Sequence, residues 1–285
     1  MAKKKKSHWF LKILVFPFKL IWWIICGIWK IIYYWVKGCN WLAKKIISYS
    51  NKRKIESQKP RSKPAYKQFQ EVKNIEGDFK DFEQLLNSNG KVGIILGGRG
   101  NGKSALGMRI LENIKAKTNK KVGAWGFNDE LLPSWIKPIN HINEIENNSF
   151  VLIDESGISF SSRNSMSELN KLLTELILIT RHKNLSIIFI TQNSSNIEVN
   201  ILRQADYLML KPHSLLQLNF ERKIIKDIYS EVESEYKKSK DKSLTYIYSG
   251  SFKGFIKNDL PGFWTERTSK SFSQEAIEEK RKDQP

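Results

Sequence analysis

The run GGRGNGKS at residues 97–104 has the composition and spacing of a phosphate-binding loop. Gly97 is followed, after four residues, by Gly102, Lys103 and Ser104. Glycines let backbone N–H groups surround phosphate oxygens, and the N-terminus of the following helix adds partial positive charge. We expect Lys103 to reach the β- and γ-phosphates of ATP and Ser104 to bind Mg²⁺. The predicted nucleotide-binding residues are Gly97, Gly98, Arg99, Gly100, Asn101, Gly102, Lys103 and Ser104.

A second motif, SFVLIDES at residues 149–156, supplies two carboxylates after a buried apolar run. The carboxyl ends of parallel strands line the ligand crevice of a sheet, so Asp154 should face the same crevice as the loop. We expect Asp154 to bind Mg²⁺ through water and Glu155 to polarise the attacking water as the catalytic base. Without the loop upstream, the same pair would equally suit a solvated strand end.

The elements that must position these residues form a predicted parallel sheet. Apolar runs at 91–96, 121–127, 150–153, 185–191 and 205–211 read as strands 1 to 5. The run 105–117 after the loop reads as a helix. We predict an α/β fold, a P-loop NTPase with an additional-strand sheet in the order 5-1-4-3-2, preceded by an N-terminal membrane-associated helical segment.

Further polar residues follow these predicted elements. Gln192, at the end of strand 4, is the candidate for a sensor side chain between the carboxylates and the γ-phosphate. An arginine finger accelerates phosphoryl transfer in related chemistry, and Arg181 and Arg203 are candidates that would act on a neighbour's nucleotide in a ring. Arg99, inside the loop, is a candidate that would act in its own subunit. Each arginine alone is also compatible with a surface ion pair.

Three runs together resemble one family: DESGISFSSR at 154–163, TRHKNLSIIFITQ at 180–192 and ILRQADYLMLK at 201–211. They are similar to the zonula occludens toxin-like family, which includes the assembly ATPases of filamentous phages and lies within the FtsK–HerA group of DNA-pumping ATPases. The positions that carry the likeness are Arg163, Arg181-His182 and Thr191-Gln192.

The resemblance covers about residues 92–211 and implies an ATP-driven motor acting on DNA. One departure is the order of the parts, because filamentous-phage relatives usually place the membrane helix after the ATPase. The loop also resembles that of terminase large subunits, but no cluster of acidic residues typical of their nuclease domain follows Lys211.

The N-terminal segment is basic and aromatic. Residues 1–64 hold 16 Lys/Arg and one acidic residue, a net charge of +15 out of +19 for the chain. Its lysines at 12, 19, 30, 37 and 44 fall on a narrow arc of a helix, with tryptophans and tyrosines over the rest. This pattern favours contact with membrane lipid through residues 9–49, either in the plane of the interface or spanning it. The only cysteines, Cys26 and Cys39, exclude a zinc cluster or disulfide scaffold.

The sequence therefore predicts a membrane-associated segment (1–49), a linker (50–80), a P-loop ATPase core (81–215), a C-terminal helix and hairpin (216–264) and a disordered tail (265–285). We expect an ATP- and Mg²⁺-dependent ring of identical subunits at the host inner or plasma membrane, with its ATPase domain in the cytoplasm. DNA and viral coat or assembly proteins are the expected partners, in virion assembly and extrusion or genome packaging. The alternative is a membrane-tethered, nucleotide-dependent assembly scaffold or switch without DNA translocation. The form of the DNA, its direction of movement, the ring size and the acting arginine stay open.

Overall fold

The computed structural model describes residues 22, 27, 29–30, 33–47, 50, 60, 62–158, 165–239, 241–265 and 268. The chain divides into two compact units, Met1–Gln58 and Lys59–Pro285. Arg163, much of the predicted membrane segment and most of the predicted disordered tail lie outside the described residues.

The described part of the first unit is mainly a helix, α1, over residues 33–47. Large apolar side chains are exposed along it, including Trp35 and Trp41. Lys45 Nζ lies 4.9 Å from the centre of the Trp41 ring, within the range of a cation–π contact. No helix among the described residues has both the length and the apolar character needed to span a bilayer.

The second unit is built on a mixed sheet. Its nine strands, counted over the described residues, are β1 (Gln70–Gly77), β2 (Val92–Leu96), β3 (Lys121–Trp125), β4 (Ile136–Ile139), β5 (Ser149–Asp154), β6 (Ser186–Thr191), β7 (Tyr207–Leu210), β8 (Leu244–Ser249) and β9 (Phe252–Lys257). Their order across the sheet is β1-β9-β8-β7-β2-β6-β5-β3-β4. The pairs from β7 to β4 are parallel, whereas β8 pairs antiparallel with β7 and β9, and β1 pairs antiparallel with β9.

The observed sheet differs from the predicted sheet of five parallel strands. The segments predicted as strands 5, 1, 4, 3 and 2 lie side by side as β7, β2, β6, β5 and β3, but four further strands extend the sheet at both edges. The prediction missed β1 because all of its residues are exposed, so its sequence shows no apolar face. It lies within the range 50–80 that was predicted as a linker, and its backbone is paired along β9.

Helices cover both faces of this sheet. They are α2 (Phe79–Asn87), α3 (Lys103–Lys117), α4 (Ser165–His182), α5 (Val199–Arg203), α6 (Leu215–Asn219) and α7 (Lys223–Lys238). Alternate residues of each buried strand enter opposite core clusters, as Ile94 and Ile95 of β2 do. The cluster on the face of Ile94 includes α4 and α7, and the cluster on the face of Ile95 includes α2 and α3.

The predicted C-terminal helix is found as α7, and its buried face consists of Ile225, Ile228, Tyr229 and Val232. Ile224 is 66% exposed. Beyond α7, β8 and β9 form the antiparallel pair over the range predicted as a hairpin.

Close packing of α3 on the sheet positions the candidate site. A Cβ atom at Gly107 would lie only 2.6 Å from the Leu152 side chain of β5, so a larger residue there would displace that buried side chain. Gly107 lies three residues after Ser104, at the start of the same helix. The short distance between α3 and β5 therefore brings Ser104 towards Asp154 at the end of β5.

Candidate functional site

The loop between β2 and α3 is shaped by glycines. Gly100 and Gly102 have φ values of 74° and 79°, in the left-handed region that other residues rarely adopt. Gly102 is the N-cap of α3 and has no side chain to occupy the first N–H groups of the helix. These donors are therefore left for an anion, as the sequence predicts for a phosphate-binding loop.

Lys103 lies inside this loop. Its Nζ atom donates to the carbonyl oxygens of Gly97 at 2.8 Å and Gly98 at 2.9 Å, and the side chain is buried. Burial lowers the pKa of Lys103, while the charges of Asp154 and Glu155 act in the opposite direction. The amine is thus held over the floor of the loop and close to both predicted carboxylates.

Pro212, shortly after the end of β7, supports the phosphate loop by accepting hydrogen bonds from it. Gly98 N donates to Pro212 O at 2.9 Å, and the side chain of Asn101 donates to the same oxygen. A Cβ atom at Gly97, where φ is 150°, would lie 2.5 Å from the Lys211 side chain. Arg99, by contrast, is exposed.

Lys211 joins this support to the C-terminal strands. Its fully buried amine donates to Lys242 O at 2.9 Å, Ser243 O at 3.0 Å and Asn258 Oδ1 at 3.4 Å. Burial lowers its pKa to about 7, and the charge of Asp241 acts in the opposite direction. The sequence predicts no role for this residue, since its partners come from two separate stretches of chain.

The two predicted metal ligands meet at the carboxyl edge of the sheet. Ser104 Oγ donates to Asp154 Oδ2 at 2.7 Å. The other carboxylate oxygen accepts from Ser156, at 3.1 Å from its N and 2.6 Å from its Oγ. No group of three or more His, Cys, Asp or Glu side chains in the described part of the chain is arranged to hold a metal. Mg²⁺ at nucleotide sites usually takes only one or two protein oxygens, so a hydroxyl beside a carboxylate fits that ion.

Glu155 lies next to this pair and is held by two residues that sequence reasoning did not select. Thr191 Oγ1 lies 2.5 Å from Glu155 Oε2, and Asn196 Nδ2 lies 2.8 Å from Glu155 Oε1. The predicted sensor residue, Gln192, is exposed beside Thr191. Asp154 pairs with Ile190, so Thr191 at the end of β6 lies level with Glu155, and no pattern in the sequence gives this register.

The two arginines predicted to act on a neighbouring nucleotide lie at the amino ends of the strands, opposite the candidate site. Arg181 precedes β6 and Arg203 precedes β7, and both are exposed. Asp206, which follows Arg203, accepts from Val92 N at 2.8 Å and so marks the amino end of β2. A strand of five residues is about 16 Å long, so neither arginine can reach the phosphate loop of its own subunit.

One comparison with known proteins, the match to a family model, agrees with the resemblance seen in the sequence. The family model described as Zonular occludens toxin (Zot) matches residues 95–251. No curated protein matches. Among solved structures, the DNA-packaging ATPase B204 from Sulfolobus turreted icosahedral virus is 14% identical, with a TM-score of 0.38, and covers 61% of this chain and 99% of its own. The genome-packaging NTPase B204 from Sulfolobus turreted icosahedral virus 2, in complex with AMPPCP, is 15% identical, with a TM-score of 0.38, and covers 60% of this chain and 99% of its own.

The matched range begins inside β2, just before the phosphate loop, and ends between β8 and β9. It includes the candidate site, with both carboxylates, and also the two arginines that lie away from the site. It extends beyond residues 92–211, over which the sequence itself shows the resemblance. Because the model covers more than half of the 285 residues, the chain belongs to the Zonular occludens toxin (Zot) family.

Proposed function

We propose that this chain is a membrane-attached ATPase motor for viral or phage DNA, which drives virion assembly and extrusion or genome packaging. The observation that carries the proposal is the site at the carboxyl edge of the sheet, in a chain of the Zot family. There the phosphate loop, the Ser104–Asp154 hydrogen bond and Glu155 lie together.

In this proposal the loop binds ATP through the backbone N–H groups of residues 97–104, and Lys103 adds positive charge at the β- and γ-phosphates. Ser104 and Asp154 would hold Mg²⁺, since both present oxygen ligands to one position. When bound, the metal neutralises phosphate charge. Arg99, which is exposed in the loop, stays the candidate that would act in its own subunit.

Glu155 is the proposed catalytic base. It takes the proton of the water that attacks the γ-phosphate, and its carboxylate is already oriented by Thr191 and Asn196. Gln192 stays a predicted sensor at the same edge. Arg181 and Arg203 stay the predicted fingers for a neighbour's nucleotide, since the length of β2 separates both from the phosphate loop of their own subunit.

We also propose attachment to the host inner or plasma membrane through residues 9–49, with the ATPase domain in the cytoplasm. The net charge of +15 over residues 1–64 and the exposed tryptophans of α1 support lipid contact. Deleting residues 1–50 should release the protein from vesicles of phosphatidylglycerol and phosphatidylethanolamine in a flotation assay. Phosphatidylcholine vesicles serve as the control for charge, and a truncated chain that still floats would place the anchor elsewhere.

The motor proposal is tested by the ATP hydrolysis of the full-length chain with and without DNA. We expect several-fold stimulation, because a translocating motor hydrolyses ATP fastest when its substrate is engaged. Comparing single-stranded with double-stranded DNA of equal nucleotide concentration separates extrusion from duplex packaging. If ATP binds but no DNA changes the rate, the chain is better explained as a tethered scaffold or switch, or as an ATPase that responds to coat protein.

A further inference from the structure

The short 3₁₀ turn Ser194–Asn196, which follows β6, reaches the proposed catalytic base. Its last residue, Asn196, donates to one oxygen of Glu155, while Thr191 donates to the other. A carboxylate that accepts a hydrogen bond at each oxygen is held in one orientation as well as in one position. Asn196 can therefore set the direction in which Glu155 faces the phosphate loop, provided that its own turn is rigid.

The turn is held rigidly by the residues that connect α6 to α7. Glu221 Oε2 accepts from Ser194 N at 2.9 Å and also from Ser194 Oγ. Arg222 donates from Nε to Ser194 O at 3.1 Å and from an Nη atom to Ile197 O at 2.6 Å. Four hydrogen bonds from two adjacent side chains thus hold the turn at its first residue and at the residue after its last.

A contact from α4 holds the other side of the turn. Asn170 Nδ2 lies 3.3 Å from Asn196 O, and Asn170 Oδ1 accepts from Glu198 N at 2.9 Å. The backbone around Asn196 is therefore hydrogen-bonded to α4 as well as to the connection before α7. Its freedom to move independently of these elements is small.

Burial makes the bond between Glu221 and the turn costly to break. Glu221 is 7% exposed, and burial raises its pKa, an effect that the two bonds from Ser194 and the charge of Arg222 oppose. A buried carboxylate that loses its donors pays the full cost of desolvation. The turn and Glu221 are therefore expected to move together.

The segment that leads into this connection contacts the phosphate loop. A Cβ atom at Gly98 would lie 2.9 Å from Gln217 Oε1 and 3.2 Å from His213 Cα, so α6 and the residue before its N-cap lie directly against the loop. Residues 213–222 thus touch the loop at one end and the turn at the other. A shift of the loop on nucleotide binding has a direct physical route to Glu155.

We propose that Asn196 is a positioning residue for Glu155, and that Glu221 and Arg222 set the rate of hydrolysis through the turn Ser194–Asn196 without touching nucleotide. This inference rests on the proposed ATPase function. It states that residues 213–222, which include α6 and the connection to α7, couple the phosphate loop to the orientation of the catalytic base.

The first test is steady-state ATP hydrolysis by the full-length Asn196→Ala variant. We expect kcat to fall about 10–100-fold, because a misdirected base loses most of its effect, while the KM for ATP stays unchanged. Asn196→Asp should be as slow, since it places a second carboxylate against Glu155. A thermal midpoint close to that of the wild type shows that the fold is retained. A rate equal to or above that of the wild type would overturn the positioning role.

The second test separates positioning from a merely structural role of Glu221. Both bonds from Ser194 end on the same oxygen, so an amide oxygen can accept them. Glu221→Ala should therefore lower kcat, and Glu221→Gln should restore most of it. Glu146→Gln, which removes exposed ion pairs with Lys121 and Lys137 before β5, is the matched control and should leave kcat unchanged.

The outcomes distinguish this inference from the function on which it rests. A wild-type chain that shows no ATP turnover would overturn both. A wild-type chain that turns over, together with unchanged kcat in Asn196→Ala or equal losses in Glu221→Ala and Glu221→Gln, would overturn the coupling alone.

Discussion

Replacing Glu155 by glutamine is expected to lower the kcat for ATP about 10²–10⁴-fold while ATP still binds, because an amide cannot accept the proton of the attacking water. The exchange changes little else. Glu155 Oε2 accepts from Thr191 and its Oε1 accepts from Asn196, so an amide keeps at least one acceptor in place. Single-turnover hydrolysis with radiolabelled ATP measures the chemical step, and retention on a filter measures binding.

The control for this experiment is Lys103→Ala, which should lose nucleotide binding itself. Lys103 is buried in the loop, and its amine is bonded to the carbonyl oxygens of Gly97 and Gly98, where phosphate charge would lie. The pair of variants separates binding from chemistry. Normal turnover by Glu155→Gln would remove Glu155 from the mechanism, and normal binding by Lys103→Ala would refute the role assigned to the phosphate loop.

The parts of the site that the sequence predicted well are those whose residues follow one another in a single stretch of the chain. The loop from Gly97 to Ser104 carries its spacing, its glycines and its flanking strand and helix together. Asp154 follows a run of buried apolar residues, so its place at the carboxyl edge of the sheet followed from strand direction. The zonula occludens toxin-like resemblance rested on such local runs and is confirmed by the family match.

The parts that sequence missed depend on contacts between distant elements. Asn196 reaches Glu155 from 41 positions away, and Glu221 holds the turn that carries it from a segment beyond the recognised range. A polar residue in a loop has no periodic pattern that could identify such a partner. Thr191 and Gln192 lie together at the end of one apolar run, so the sequence does not show which of them faces the carboxylates. The side-chain direction at the end of β6 distinguishes them, and it is Thr191 that contacts Glu155.

The edges of the sheet were missed for a related reason. β1 joins the sheet through backbone pairing with β9, and its exposed side chains give no apolar alternation. The antiparallel strands β8 and β9 were recognised as a hairpin, but their place next to β7 depends on pairing with a strand far earlier in the chain. Sequence patterns specify which residues are buried, whereas the order of strands at an edge is decided by packing.

A buried ion pair on α3 ties the chain before β1 and the chain after β9 to the helix that begins at the phosphate loop. Arg109 Nη1 lies 2.8 Å from Glu112 Oε2, and each side chain is 1% exposed. Arg109 also donates to the carbonyl oxygens of Asp259 and Leu260, and Glu112 accepts from the N–H groups of Ala65 and Gly262. Burial lowers the pKa of Arg109, which the charges of Glu112 and Asp259 oppose.

Glu112→Ala is accordingly expected to destabilise the protein by about 3–5 kcal/mol, because it leaves a buried guanidinium without its counter-charge. For a domain of this size the thermal midpoint should fall by roughly 10 °C. Thermal unfolding of the full-length chain, followed by circular dichroism, measures the change. Glu233→Ala, which breaks the exposed pair with Lys237, is the matched control and should cost less than about 1 kcal/mol.

The double variant Arg109→Met, Glu112→Leu decides what kind of contribution the pair makes. Two apolar side chains fill similar space without a charge to solvate, so much of the lost stability should return if the cost of the single variant is mainly the unpaired charge. The double variant would still lose the hydrogen bonds of both side chains to the two flanking segments, at Ala65, Asp259, Leu260 and Gly262. A double variant as unstable as Glu112→Ala would therefore show that those bonds to the two flanking segments, and not the ion pair, are what fastens them to α3.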